Sequence, residues 1–431
     1  MAEIGFTIIF LSVLFLFLGS GIWIALSLIG VATIGMELFT SRPVGDAMAT
    51  TIWSASSSWT LAALPLFIWM GEILFRTKLS ENLFKGLQPW MQHLPGGLLH
   101  VNIAGSALFA AISGSSAATV ATVGKMSIPE LRRRKYPEKM IIGTLAGAGT
   151  LGLLIPPSIT LIIYGVTVNE SIAKLFIAGV IPGIVLALMF MAYVMLWSWF
   201  KGGAAEEADP NTTWSDRFAA LLQLLPVIAL IAAVMGAIYS GVATATEAAV
   251  LGVVGALVMS IAQKSLSWDS FKESLRGATR TSSMIAFILA GSAFLTLAMG
   301  FTGIPRALAE WIATMELSAW QLILILTIFY VILGCFLDGI SSIVLTMAVV
   351  EPIVRQAGFD MIWFGVFLMI VVEIAQITPP IGFNLFVLQG MTGRDMDVIA
   401  RAAAPMFLIM LLAVVVLSTF PGLATWLPAN M

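Results

Sequence analysis

GTLAGAGTLGLLIPPSITLIIYG, residues 143–165, is long and apolar enough to cross a bilayer, yet two adjacent prolines, Pro156 and Pro157, sit near its centre. A hydrocarbon core of about 30 Å calls for about 20 apolar residues in a helix. Proline withholds an amide donor and clashes with the preceding turn, so this helix must break mid-span and leave carbonyls without their usual donors. Such backbone is tolerated at depth only where protein or a water-filled cavity covers it. VVEIAQITPPIGFNLFVLQG, residues 371–390, repeats the arrangement at Pro379 and Pro380. A single mid-span proline is often a kink. Two pairs, 223 residues apart, point to a repeat.

Composition agrees. Of 431 residues, 59% are hydrophobic and only 10% charged, against roughly a quarter charged in a soluble domain. Lipid is the solvent for most of this chain, with room for roughly ten to twelve crossings or part-crossings. Open sheets are excluded because lipid cannot satisfy their edges, and the apolar runs are too long and unalternating for barrel strands. The expected fold is an all-α polytopic membrane protein. The first apolar stretch, from Ile4 to about Phe39 with a break at Gly19-Ser20-Gly21, suits two helices better than a cleavable signal. Cys335 is alone, and His93 and His100 are the only histidines, so no Cys/His metal constellation can be assembled. A net charge of -2 gives no basic face for nucleic acid, and no Walker loop is present.

Spans are expected near 4–19, 21–39, 60–75, 140–165, 175–199, 218–239, 244–262, 281–301, 361–388 and 404–425. With both termini outside, 17 Lys and Arg fall on the inner side and 4 on the outer, accounting for all 21. That orientation holds only if two further apolar stretches, 97–127 and 318–354, enter and leave on the same side. Both have polar, glycine-containing centres: Ser113-Gly114-Ser115-Ser116 and Asp338-Gly339-Ile340-Ser341-Ser342. Re-entrant hairpins are the economical reading, the first opening inward and the second outward. An amphipathic arm precedes each one: Leu79, Leu83, Leu87 and Trp90 with Met91 beside Lys78, Glu81 and Lys85, then Ile304, Leu308, Ile312 and Met315 beside Arg306, Glu310 and Glu316.

Span, arm, hairpin and Pro-Pro helix thus recur in the same order with opposite orientation. Inverted repeats let one site face either side in mirror states, with discontinuous helices placing ligands near the midplane. Carbonyls freed by the prolines suit Na⁺, and hairpin tips offer hydroxyls and helix N-termini that favour anions. The expected divisions are 1–96, scaffold spans and first arm; 97–200, first transport-domain half; 201–317, scaffold spans and second arm; and 318–431, second transport-domain half. Intramembrane carboxylates are functional candidates by default. Asp338 suits Na⁺ or substrate coordination. Glu373 could be a ligand or a structural partner. Glu72 with Arg76 reads as an i,i+4 pair, Thr244 with Glu247 as a capping box, and the run Arg132–Lys135 as a topology anchor.

ALFAAISGSSAATVATVG (107–124), LGLLIPPSI (151–159), GVATATEAA (241–249), LDGISSIVLTM (337–347) and EIAQITPPIGFNLFV (373–387) together resemble the large membrane subunit of TRAP transporters, the tripartite ATP-independent periplasmic carriers. The resemblance covers essentially the whole chain. It implies a Na⁺-driven, elevator-type importer in a bacterial inner membrane, with Na⁺ as coupling ion and no other cofactor. It also implies a separate four-helix small membrane subunit and a periplasmic binding protein that delivers a carboxylate, such as a C4-dicarboxylate or sialic acid. No small-subunit sequence precedes residue 1, so that subunit is expected as its own polypeptide. Carried over by position, a first Na⁺ site would use Ser113, Gly114 and Ser115 with Thr150, Gly152 and Pro156. A second would use Asp338, Gly339, Ser341 and Ser342 with Gln376, Thr378 and Pro379. Substrate would lie near Ser115, Ser116, Ser158, Asp338 and Asn384. The chain departs from the family pattern at Ala375, where glycine is expected, and at Ala348 and Glu351, where proline and an apolar residue are more usual.

Two other readings stay open at this level. A stand-alone Na⁺/dicarboxylate symporter or antiporter shares the architecture but typically carries Ser-Asn-Thr at its hairpin tips, which this chain lacks. An intramembrane hydrolase would need Asp338 and Glu373 as a dyad, or a serine paired with His93 or His100.

Overall fold

The computed structural model describes residues 12–13, 16–17, 19–76, 79–201, 213–380 and 382–431. The expected span at 4–19 lies largely outside them, as do Lys78 and the side chains of Leu79, Glu81, Lys201 and Ile304. Every regular element among the described residues is helical. Six helices are long and apolar enough to cross a membrane, or up to eight if two bent pairs count as one span each.

The first half runs α1 (Ile24–Phe39), α2 (Val44–Ser56), α3 (Ala63–Phe75) and the arm α4 (Leu79–Met91). Two helices follow, α5 (Leu99–Ser113) and α6 (Ser116–Arg133), which pack on each other. The first Pro-Pro helix is divided into α7 (Glu138–Gly149), α8 (Leu151–Leu154) and α9 (Ile159–Val168), bent by 41°. α10 (Ile172–Lys201) completes the set. After α11 (Trp214–Tyr239) and α12 (Ala245–Ala262) the order recurs. It runs through the long α13 (Trp268–Thr302), arm α14 (Ile304–Thr314), paired α15 (Ala319–Gly334) and α16 (Gly339–Gln356), α17 (Met361–Gln376) broken from α18 (Phe383–Thr392), and α19 (Met396–Thr419) with its short extension α20 (Gly422–Ala429).

Two expectations are adjusted. α13 begins thirteen residues before the expected 281, and its 35 residues span about 52 Å at 1.5 Å each. Its first turns carry Asp269, Lys272, Glu273 and Arg276, which an apolarity criterion rejects but a helix outside lipid accommodates, started by a Ser267–Ser270 capping box. α2 was not anticipated. It carries Asp46, Thr50, Thr51 and Ser54 and buries no residue, so it has neither the length nor the apolarity of a span, and it meets the following helix at 52°.

The helices sort into two packed groups joined by the arms. In the first, α1 lies along α13, and α3 sits against both α12 and α13. A methyl group on Gly291 would stand 2.8 Å from the Ala25 carbonyl oxygen, so the absent side chain sets the closeness of α1 and α13. In the second, α17 is buried on nearly every face, and α7 packs on α19. Gly147 makes room there for Met406, whose Cγ would be 2.7 Å from any added methyl. The arm α4 lies between α11 and α5, and α14 lies against α16. Leu83 and Leu87 are buried beneath α4, as the amphipathic pattern requires.

Candidate functional site

The first paired unit turns at Gly114, whose φ of +57° is a left-handed conformation that glycine adopts without cost. Ser115 is then extended, caps α6 by accepting from the Ala118 amide, and receives a 2.8 Å bond from the Thr119 hydroxyl on its carbonyl. The Ser113 and Thr119 hydroxyls lie 3.0 Å apart. This tip presses backbone to backbone on the first Pro-Pro break. A methyl on Gly114 would lie 3.1 Å from the Pro157 carbonyl oxygen, and one on Gly152 would lie 2.6 Å from the Ser116 nitrogen. Tip and break therefore meet in close backbone contact.

The first break is held largely by its own hydroxyls. Ser158 caps α9 by accepting from Leu161 N and donates to the Leu153 carbonyl at 2.5 Å. Thr150 donates to Gly147 O at 2.5 Å. Pro156 cannot supply the amide that would otherwise bond the Gly152 carbonyl four residues back. Both proline pairs are cis.

Asp338 caps α16, its Oδ2 accepting from Ile340 N at 3.1 Å and its Oδ1 from the Ser341 hydroxyl. It is exposed, with both oxygens engaged by its own helix. The Ser342 hydroxyl beside it is buried with no hydrogen-bond partner among the described residues. The Tyr330 and Thr346 hydroxyls, 2.7 Å apart, tie α15 to α16. Gly334 makes room for the Ala375 methyl, so the departure at Ala375 is accommodated by a glycine on the facing helix. At the second break Thr378 donates to Ile374 O at 2.6 Å, and the Cys335 thiol to Pro379 O at 3.4 Å. The Gln376 Nε2 and both side-chain atoms of Asn384 are buried without a partner among the described residues. Buried amides are normally paired, and these three atoms lack that pairing.

Glu373, left open between ligand and structural partner, joins the two halves. Its side chain is fully buried in α17. Its Oε1 accepts from the Ser116 hydroxyl at the first tip and from Leu153 N of the first break at 3.1 Å. The second tip reaches the same spot, for a methyl on Gly339 would stand 3.0 Å from Leu153 Cδ1 and from Val372 Cγ1. Both tips and both broken helices thus converge around Leu153. An apolar run interrupted by one carboxylate signalled Glu373 in the sequence, and Ser116 was named there as a substrate candidate; nothing there paired the two, or pointed to Leu153 or the Cys335 contact. The hydrolase arrangement is not present: Asp338 bonds within α16, Glu373 bonds Ser116 and Leu153, His100 bonds the Pro95 carbonyl, and His93 bonds Arg217.

Ion pairs close the second group at its two ends. At one, Arg132 bonds Glu138 and Thr392 O, with Arg394 3.5 Å from Glu138. The Arg132 guanidinium holds the Glu138 carboxyl below its ordinary range, with burial opposing and Arg394 adding to the effect. At the other, Arg355 bonds Glu351 at 2.9 Å and Val168 O at 3.1 Å, and lies 3.7 Å from Glu170. Glu351, the second family departure, therefore has a charged partner. A cleft of about 1060 Å³ opens beside that end between the two groups, lined by hydroxyls such as Thr50, Ser54, Thr167 and Ser292, by Glu170, and by no Lys or Arg. None of the site residues expected from the sequence lines it.

Residues 9–423 match the family described as the tripartite ATP-independent periplasmic transporter, DctM component. The chain is 32% identical over 382 residues to the C4-dicarboxylate TRAP transporter large permease protein of Pseudomonas aeruginosa, covering 88% of this chain and 89% of that one. It is 31% identical over 414 residues to the isethionate TRAP transporter permease protein DctMQ of Oleidesulfovibrio alaskensis, covering 94% of this chain and 63% of that longer protein. In fold it is similar to the Alcanivorax borkumensis YdaH transporter, with a TM-score of 0.63 at 12% identity over 95% of this chain and 98% of that one.

Proposed function

The chain belongs to the DctM component family of tripartite ATP-independent periplasmic transporters, and from that premise we propose that it imports an organic acid at the expense of a Na⁺ gradient. The observation that carries the proposal is the convergence of two helix tips and two proline-broken helices around Leu153, with Gln376 Nε2 and the Asn384 amide by the second break unpartnered among the described residues. Carbonyls deprived of amide donors at each break are hard oxygen ligands for Na⁺. The N-termini of α6 and α16 place positive dipole ends where a carboxylate would sit.

In this reading α5–α6 and α15–α16 are re-entrant hairpins, and the second packed group is the moving body. The first group is the scaffold, and α4 and α14 are the arms between them. The Arg132–Glu138–Arg394 end faces the cytoplasm and the Arg355 end the periplasm, which sets both termini outside in the bacterial inner membrane. A small membrane subunit would cover the exposed apolar face of α11 and α12, where Phe218, Leu222, Leu251 and Val258 are unburied. The DctMQ relative's name supports such a partner. A periplasmic binding protein would deliver substrate to the outer cleft. Relatives of near-equal identity are named for a dicarboxylate and for isethionate, so the substrate class here is a small organic anion.

Reconstitution in liposomes with the small subunit and binding protein tests this reading. Uptake should require an inward Na⁺ gradient and both partners. Equal uptake without Na⁺ would refute the coupling. Uptake by this chain alone would favour the stand-alone symporter.

A further inference from the structure

We propose that Glu373 is a positioning residue that clamps the first hairpin tip and the first Pro-Pro break to the second broken helix, so that the two ion sites fill as a unit. The proposal rests on the Na⁺-coupled reading above. Its own support is geometric. Of everything described, the Glu373 side chain is the polar group that bonds across from the second repeat to both conserved-order elements of the first: the Ser116 hydroxyl at the N-terminus of α6, and the amide of Leu153 in α8. It does so from a helix in which fifteen of sixteen residues are buried.

The two bonds act on the parts that would hold the first ion. Ser116 follows Ser115 at the tip, and its nitrogen faces Gly152 closely enough that no side chain fits between. Leu153 lies three residues before Pro156, and its carbonyl accepts from Ser158. Releasing Glu373 would therefore loosen tip and break together. On its own helix, Glu373 precedes Gln376 by one turn and Thr378 by five residues, both at the second break. A displacement of the second break when its ion binds would pass along α17 to Ser116 and Leu153. No Lys or Arg pairs with Glu373 among the described residues, and its Oε2 has no partner. The clamp needs an acceptor at Oε1 rather than a negative charge. A glutamine supplies that acceptor; a methionine fills the same volume without one.

The experiment compares wild type, Glu373→Gln and Glu373→Met in the reconstituted complex, with uptake measured against Na⁺ concentration. Glu373→Gln should stay within about twofold of wild type in half-saturating Na⁺ and keep its slope. Glu373→Met should raise half-saturating Na⁺ at least about fivefold and lower the slope toward one. A purely structural residue would lower expression or melting temperature and leave the slope intact. Hydrogen exchange reads the clamp without reference to Na⁺: Glu373→Met should raise exchange in both 114–119 and 150–154, and Glu373→Gln should not. Wild-type slope and wild-type exchange in Glu373→Met would overturn the clamp, as would loss of uptake in Glu373→Gln, which would show that the charge itself is needed. Should Glu373→Met fail to insert, Ser116→Ala, which removes one of the two donors to Glu373, takes its place: exchange in 114–119 should rise, and wild-type exchange would overturn the clamp. Wild-type uptake that ignores Na⁺ would instead refute the coupling, with exchange still deciding the clamp.

Discussion

At the residue scale, the close contact of tip and break depends on what glycine lacks. Gly152 faces the Ser116 nitrogen, a backbone atom that cannot rotate away. Gly152→Ala should cost about 1–3 kcal/mol through forced backbone shifts, lower the melting temperature of the purified protein, and cut uptake more than tenfold. Gly300 in α13 has nothing within 4 Å of its missing methyl, so Gly300→Ala should be neutral or stabilise by up to about 1 kcal/mol. Equal effects at the two positions would show that packing at the tip is not what Gly152 serves. Most of the polar side chains named from the sequence are engaged locally. Ser115, Ser158 and Asp338 cap helices, and Thr150 and Thr378 bond their own preceding turns. Short polar side chains at a helix start compete for nearby amides, a role the sequence does not separate from ion binding.

At the element scale, the alternation of spans, arms and broken helices was legible because apolar length and proline are local signals. α2 was missed because it is too short and too polar for a span: it buries no residue, and its half-buried Val44, Ala47, Met48, Ile52 and Ala55, though at helical spacing, make only a weak apolar stripe. The ends of elements are joined by charges far apart in sequence. Arg132 closes α6 onto Glu138 at the start of α7 and onto the end of α18. The Glu138 carboxyl lies below its ordinary range when folded, so its contribution is present above the unfolded carboxylate pKa and lost as pH falls through the lowered folded value. Melting temperature in detergent should therefore fall as the pH drops below the ordinary carboxylate range. Glu138→Gln should remove part of that slope while lowering stability at pH 7 only modestly, because the pair is partly exposed. An unchanged slope would place the acid sensitivity elsewhere.

At the scale of the whole molecule, two packed groups share an interface of few polar contacts, one of them Ser292 on α13 donating to the Val344 carbonyl on α16 at 2.9 Å. If the second group slides against the first, linking them must arrest transport. With Cys335 replaced by serine, a Ser292→Cys and Val344→Cys pair bridged by a short thiol cross-linker should abolish uptake, and reduction of a cleavable linker should restore it. A bridge within the second group, between Asn102→Cys and Thr144→Cys, whose side chains bond at 2.9 Å, should leave transport largely intact. Undiminished uptake with the first bridge complete would argue against relative motion of the two groups.

What the sequence by itself determined is the solvent, the helical class, the order of the repeat and the family, because lipid demands apolar length, proline demands a break, and both are written locally. It also placed a carboxylate at 373 in an apolar run. Only the tertiary structure decided what that carboxylate does. Ser116 and Leu153 lie 257 and 220 residues away, and a hydrogen bond across that separation exists only once four elements from two halves have closed around one point. The same closure left the Gln376 Nε2 and both polar side-chain atoms of Asn384 buried and, among the described residues, unpartnered.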